Sequence, residues 1–220
     1  MQEIYIVRHG QTFLNELNRT QGWVDSPLTE KGKEQARRMG QALKRSNAHF
    51  SVVVASDRGR VLETVGLLLE EAGLSDSPIE QNPDWREMCF GEYEGCSNED
   101  TIAAILHYNG YETETCTFQS RRKFRELITD TMSKIDKSGW AESREQFEAR
   151  LLAALNQVIL SLEQCAGQRA LVVAHGVVME TLFLLLEKTA DLPEIDNGRA
   201  MILQHENGVF TVKAVNVAAF

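Results

Sequence analysis

The feature of this chain that most limits its fold is a set of short apolar runs with no polar alternation. "IYIV" (residues 4–7), "VVVA" (residues 52–55) and "ALVVA" (residues 170–174) are continuous, mostly β-branched and bounded by polar residues. A strand with one wet face alternates apolar and polar side chains. A run without alternation is covered on both faces, as in a parallel sheet between helix layers. Helical patterns lie between the runs. After Leu28, Thr29 stands as an N-cap, and Ala36, Met39, Gly40 and Leu43 form an apolar stripe. After Ser56, the residues Val61, Val65, Leu68, Leu69 and Ala72 share one face, and Gly73 ends the pattern. Ser143 and Gln146 have capping-box spacing ahead of Phe147, Leu151, Leu155, Val158, Ile159 and Leu162. The segment after His175 is apolar nearly all round, which predicts a buried helix.

Strand then helix, repeated, predicts an α/β fold: a three-layer sandwich whose mostly parallel sheet is flanked by helices. Strand-like runs on either side of Asn207-Gly208 predict a C-terminal hairpin that adds an antiparallel edge. The chain of 220 residues is expected to form a single domain, 1–220. Residues 96–142 are polar and uneven, and they read as a partly helical insertion near the mouth of the site.

The net charge of -9 disfavours nucleic acid and anionic membrane surfaces, so a phosphate ligand would depend on local arginines. No apolar run approaches the ~18 residues of a membrane span, and Met1 to Glu3 lead straight into a strand without a leader-like core. The expected location is cytoplasmic, and Cys89, Cys96, Cys116 and Cys165, with no CxxC pair, read as reduced thiols. The five histidines form neither HxH nor HExxH, so no protein-bound metal is expected.

Two of the apolar runs end in His-Gly: Arg8-His9-Gly10 and His175-Gly176. The third leads into Ser56-Asp57-Arg58-Gly59-Arg60, where a helix begins. Ligands of parallel α/β sheets gather beyond the carboxyl ends of the strands, where helix N-termini also present N–H groups. A lone strand-end histidine is commonly a packing residue. Two at equivalent ends, one of them preceded by arginine, point to a shared anion site. The glycines are expected to allow close approach to a ligand. Arg58 and Arg60 stand where the helix dipole disfavours cations, a conflict that an anionic ligand resolves.

Taken in order, "RHGQTFLN", "QGWVDSPLTEKG", "SDRGRVLET", "WREMCFGEYEG" and "VVAHG" resemble the histidine phosphatase superfamily, also called the phosphoglycerate-mutase-like family. The resemblance runs from residue 4 to about 180. It implies that His9 is the nucleophile, that Arg8, Asn15 and Arg60 hold phosphate, that Glu87 is the general acid, and that His175 is the second site histidine. Gln21, Gly22 and Arg58 join the expected substrate-binding set. The implied chemistry is phosphoryl transfer through a phosphohistidine, with no step that demands a metal. His9 must be neutral to attack, and Arg8 and Arg60 would lower its pKa. The same arginines are expected to keep Glu87 ionised until a phosphate dianion raises its pKa. Trp23, Glu92 and Glu94 are expected to brace loops.

Three functions are consistent with these residues. The first is a phosphomonoesterase acting on a small phosphorylated metabolite. The second is a phosphoglycerate mutase that needs 2,3-bisphosphoglycerate. The third is a non-catalytic module that binds a phosphate ligand, which the filled catalytic positions argue against. "LNRTQGWVDSPLTEKG" and Arg121-Arg122 resemble the mutases, although the arginine pair also suits the solvated face of a helix with Lys123 and Arg125. Glu87-Met88-Cys89-Phe90-Gly91 resembles the phosphatases rather than the Glu-Arg-His-Tyr-Gly stretch of mutases. The phosphatase is therefore the expected function, with a small phosphate ester as partner and no cofactor. Arg58, Val61 and Val177 depart from residues usual in the family, and Val177 is expected to narrow the site.

Overall fold

In the computed structural model, which describes residues 1–112 and 120–218, alternate side chains of the apolar runs go to opposite faces of one sheet. The elements in chain order are β1 (Gln2–Arg8), α1 (Phe13–Glu16), α2 (Glu30–Arg45), β2 (Val52–Ala55), α3 (Gly59–Ala72), β3 (Glu80–Gln81), α4 (Asn98–Tyr108), α5 (Arg121–Ile135), α6 (Arg144–Gln164), β4 (Arg169–Ala174), α7 (Gly176–Leu186), β5 (Ala200–Glu206) and β6 (Val209–Val217). The strand order is β3-β2-β4-β1-β5-β6. β1, β2, β3 and β4 pair in parallel, while β5 and β6 extend the sheet antiparallel beyond β1.

Ile4, Ile6, Val54, Ala170, Val172 and Ala174 face a core built with the α6 stripe and with Val178, Met179 and Leu182 of α7. Tyr5, Val7, Val53, Ala55, Leu171 and Val173 face Met39 and Leu43 of α2 and Val61, Val65, Leu68 and Leu69 of α3. The period of two along each strand thus sorts one set of residues into two cores. Each buried aliphatic side chain contributes roughly 1.5–3 kcal/mol, so the two cores on either face of the sheet are the main apolar store of the fold.

The expected caps form. Thr29 caps α2, Ser143 and Gln146 make the capping box of α6, and Gly73 ends α3 with φ 75°. Asn207 and Gly208 take φ of 52° and 78°, the paired left-handed conformation that a tight hairpin turn needs. Within 96–142, α4 and α5 pack on each other, and Ile105, Ile128 and Met132 join the α6–α7 core. Residues 113–119, with Cys116, lie outside the described residues. Cys89, Cys96 and Cys165 are free thiols. No described helix is long and apolar enough to cross a membrane.

The turn after β1 packs directly on the first turn of α2. A Cβ at Gly10 would overlap the carbonyl oxygen of Gly32, and a Cβ at Gly32 would overlap that of Gln11. The glycine after His9 therefore makes room for protein backbone, not for a ligand as the sequence suggested. Gly32→Ala is expected to lower stability by about 1–3 kcal/mol through overpacking against backbone. Gly66→Ala, in α3 with open space at its Cβ, is expected to raise stability by up to about 1 kcal/mol. Urea unfolding of the two variants beside the parent checks both signs.

Candidate active site

Because β1 and β4 are parallel neighbours, with Arg8 opposite Ala174, the residues that follow them emerge side by side. The His9 N–H donates to Ala174 O at 3.0 Å. The rings of His9 and His175 lie 5.3 Å apart between centroids at 69°, and both side chains are buried. β2 pairs with β4 on its other side and ends at Ala55, just before Ser56, after which α3 carries Arg60 in its first turn. Arg60 is buried between the two rings: Nε lies 3.3 Å from His9 Nε2 and Nη2 lies 3.0 Å from His175 Nδ1.

A guanidinium only donates, so both ring nitrogens accept. His9 Nδ1 then donates to Gly10 O at 2.8 Å, and His175 Nε2 donates to Ser56 Oγ at 2.9 Å. The tautomers follow: His9 carries its lone pair on Nε2, turned toward Arg60. Burial holds the pKa of both rings well below the usual 6.5, and the Arg60 charge adds to it, followed by Arg8 for His9 and by His9 for His175. The rest of the Arg60 fork donates to Gly22 O at 2.7 Å, Val24 O at 2.9 Å and Asp25 Oδ1 at 3.0 Å.

Glu87 is buried on the loop before α4. Its carboxylate accepts from Val177 N at 2.9 Å and Val178 N at 3.1 Å, in the first turn of α7, and from Met88 N at 3.1 Å. Burial raises its pKa from the ordinary 4.5, outweighing the opposing pull of the Val177 N–H and then of Arg60. The net direction is thus upward, against the pull expected of the neighbouring arginines, because desolvation of the carboxylate is the larger effect. Arg150 of α6 steadies the loop. It pairs with Glu142 at 2.7 Å and donates to the carbonyls of Asp84 at 2.7 Å, Arg86 at 2.9 Å and Glu87 at 3.3 Å.

Arg8 donates to Ile195 O at 2.6 Å, and its buried Nε has no protein acceptor. Its guanidinium lies against Gly176, where a Cβ would come within 3.0 Å of Cζ, so the second His-Gly glycine makes room for Arg8. Asn15 Oδ1 accepts from Thr12 N at 3.2 Å in the capping box of α1. Gln21 accepts from Thr12 Oγ1 at 2.6 Å and donates to Ser26 Oγ at 3.0 Å. Arg8, Asn15, Gln21, Glu87 and Val177 line a cavity of about 400 Å³. Ile102 and Ile105 of α4, Phe124 and Ile128 of α5, and Phe90 supply its apolar side. His9, Arg60 and His175 are buried and are not part of this lining.

Arg58 and Gly22 of the expected set are likewise absent from the cavity wall. Arg58 donates to Trp23 O at 3.1 Å and lies over the Trp23 ring at 5.8 Å, while Arg86 covers the same ring at 4.8 Å. Gly22 gives its carbonyl to Arg60 and its N–H to Glu94. Trp23 and Glu94 brace this region. Trp23 Nε1 donates to Glu87 O at 3.0 Å, and Glu94 accepts from the N–H groups of Gly22, Trp23, Val24 and Phe90. Glu92 accepts from Lys137 N.

Several residues of the site were not singled out from the sequence. Asp25 pairs with Arg60 and also accepts from the N–H of Gly59, at the start of α3. Its signal was its place within "QGWVDSPLTEKG". Asn197 donates to His9 O at 2.9 Å, from a loop with no distinguishing pattern. Arg125 and Glu180 also line the cavity and pair at 2.5 Å. The signal for Glu180 was a single acid inside an apolar helix, a place where a carboxylate needs a partner. Among the described residues, no group of His, Cys, Asp and Glu is arranged to hold a metal ion.

A sequence profile of the histidine phosphatase superfamily (branch 1) matches residues 4–218. A 2,3-bisphosphoglycerate-dependent phosphoglycerate mutase of Methylobacterium radiotolerans is 32% identical over 200 residues, which is 87% of this chain and 83% of the relative. The crystal structure of a phosphoglycerate mutase from Bacillus anthracis superposes with a TM-score of 0.90 at 32% identity, covering 99% of this chain and 93% of the other. A mycobacterial glucosyl-3-phosphoglycerate phosphatase, solved with inorganic phosphate, shares the fold with a TM-score of 0.72 at 23% identity, covering 99% and 98% of the two chains.

The depressed imidazole pKa values have a definite sign in stability. Above the unfolded-state value of about 6.5, His9 and His175 are neutral in both states and cost nothing. Below it, the unfolded chain binds protons that the folded site refuses, so stability falls as the pH drops, by at most ~1.4 kcal/mol per pH unit for each ring. Urea unfolding at pH 7.5 and 5.5 is expected to show a larger acid loss in the parent than in His9→Ala. Equal losses would mean that the His9 ring titrates normally in the folded protein.

Proposed function

Because this chain belongs to the histidine phosphatase superfamily, we propose that it is a phosphomonoesterase that hydrolyses a small phosphorylated metabolite through a phosphohistidine on His9. The observation that carries this reading is the state of His9: a buried neutral ring whose Nδ1–H is tied to Gly10 O, leaving the Nε2 lone pair as nucleophile. A single domain, 1–220, carries the reaction, and the insertion 96–142 overhangs the cavity and selects the alcohol.

In the first step His9 Nε2 attacks phosphorus in line, and the P–N bond forms as the ester P–O bond breaks. Arg60, Arg8 and His175 stabilise the equatorial oxygens, as is usual for preorganised donors in phosphoryl transfer. The unpartnered Nε of Arg8 is one such donor. Arg60 exchanges its contact with His9 Nε2 for a phosphoryl oxygen. Asn15 and Gln21 orient the ester from the cavity wall. Glu87, made a weaker acid by burial, gives its proton to the departing alkoxide. In the second step the Glu87 carboxylate takes a proton from water, whose oxygen attacks phosphorus as the P–N bond breaks. Inorganic phosphate leaves, and His9 and Glu87 return to their starting protonation states.

The reading of a mutase draws support from the names of the relatives and from the overall likeness to the Bacillus anthracis structure. A mutase must hold a second anionic end, that of 2,3-bisphosphoglycerate included. Among the described residues, the arginines that could hold that end already have protein partners. Arg122 donates to the carbonyls of Glu187 and Ala190 beyond the end of α7. Arg121 and Arg125 face Glu180 at 3.6 and 2.5 Å, and Arg19 donates to Gly95 O. Each cavity-lining arginine thus has a protein oxygen as partner, and the buried Nε of Arg125, like that of Arg8, has none; the Glu180 carboxylate beside Arg125 is what supports hydrolysis of a monoester over binding of a second anion.

Phosphorus NMR of 3-phosphoglycerate with a trace of 2,3-bisphosphoglycerate, using His9→Ala as blank, separates the readings. Inorganic phosphate that depends on His9 supports the phosphatase. A 2-phosphoglycerate signal that needs both the trace compound and His9 would replace it with the mutase.

The pH profile is a second check. Activity requires a neutral His9 and a protonated Glu87, so kcat/KM is expected to peak in mildly acidic solution and to fall as the pH rises through the Glu87 pKa. Glu87→Gln is expected to lose that alkaline limb and about 10²–10⁴ in rate on alkyl esters. A parent profile flat from pH 5 to 8 and unchanged in the variant would remove Glu87 from the acid role.

A further inference from the structure

We propose that Glu180, together with Arg125, determines which alcohols this cavity takes: it disfavours esters with a second anionic group and favours those whose alcohol is uncharged and partly apolar. The inference rests on the phosphatase reading and deepens it. Glu180 is the acid of an otherwise uncharged helix, α7, and its side chain is 7% exposed. It lines the cavity with Gly176 and Val177 of the same helix. An unpaired carboxylate there would be costly, and the partners that answer it come from α5: Arg125 Nη2 at 2.5 Å and Arg121 Nη2 at 3.6 Å. On the other side, Glu180 is the charged group that most strongly supports the charge of Arg8.

Glu180 therefore lines the same cavity as the arginine that would hold the phosphate and pairs with the arginines that would hold anything anionic on the alcohol. It neutralises the α5 guanidiniums. It also repels a carboxylate or second phosphate brought toward them. Phe90, Ile105 and Phe124, which line the same cavity, offer such a group no hydrogen bond. Removing the charge of Glu180 frees Arg125 for a ligand. Removing Arg125 leaves the Glu180 charge only the more distant Arg121, at 3.6 Å.

The two substitutions thus act in opposite directions, which a merely structural role would not produce. Binding of phenylphosphonate and 4-carboxyphenylphosphonate is measured by calorimetry, and phosphate release from the matching phosphate esters by kinetics, with His9→Ala as blank. The parent is expected to prefer the uncharged ligand. Glu180→Gln is expected to narrow that preference about tenfold, the scale of one like-charge contact at about 4 Å under near-aqueous screening. Arg125→Met is expected to widen it several-fold. Preference ratios within twofold of the parent in both variants, or moving the same way in both, overturn the inference. Loss of binding of both ligands in Glu180→Gln leaves the decision to Arg125→Met, where an unchanged or narrowed ratio overturns it. No phosphate release dependent on His9, with the binding ratios shifting as stated, overturns the phosphatase reading while upholding the selectivity of the cavity.

Discussion

A guanidinium sealed from solvent organises this protein. Arg60 is 1% exposed, and a cation in that position is tolerable only if its donors all find acceptors. The acceptors are His9, His175, Asp25 and the carbonyls of Gly22 and Val24. Satisfying one side chain thus draws together the ends of two strands, the start of a helix and a loop. The loop is gripped from both directions, since its carbonyls go to Arg60 and its N–H groups go to Glu94. Burial, with the same charge adding to it, keeps both imidazoles neutral, and their lone pairs turn toward Arg60. Electrostatics and backbone satisfaction therefore share one cause.

The counterpart of opposite sign is Glu87. Its carboxylate is taken out of water and set on the first N–H groups of α7, where the helix would otherwise leave orphan donors. The α7 N-terminus follows His175 directly, so one strand end carries both a ring and an anchor for a carboxylate. Farther out, Asp57 with Arg86 and Glu142 with Arg150 hold the loop that bears Glu87. The chain's net charge of -9 plays little part here. Local pairing decides the character of the site.

Much of this was legible in the sequence because buried parallel strands leave a plain signature and because their carboxyl ends are where side chains meet. His9, His175 and Arg60 follow from strand ends and a helix start. What stayed hidden depends on contacts between distant segments. Arg58 and Arg60 look equivalent as letters, but Arg58 is the extended N-cap of α3 and Arg60 lies in its first turn, so one covers Trp23 and the other reaches the rings. Arg122 reads as part of a solvated face, yet it holds the carbonyl of Glu187 at the end of α7. The Arg125–Glu180 pair joins α5 to α7, and a charged residue within a helix reads as solvated until its tertiary partner is known. The direction of the Glu87 shift turned on burial, which no spacing of residues encodes.

The strand order has a consequence for the making of the protein. β4 lies between β2 and β1 in the sheet but follows both in the chain. Until residue 169 and its successors leave the ribosome, β1 and β2 have no strand to join them. At ~5–20 residues per second the wait after β2 is on the order of ten seconds. Through that interval two apolar strands exist as open edges, the kind of surface on which chains pair wrongly with one another. The exposure of this protein to aggregation is therefore set by the tempo of its synthesis and not only by the depth of its final energy well.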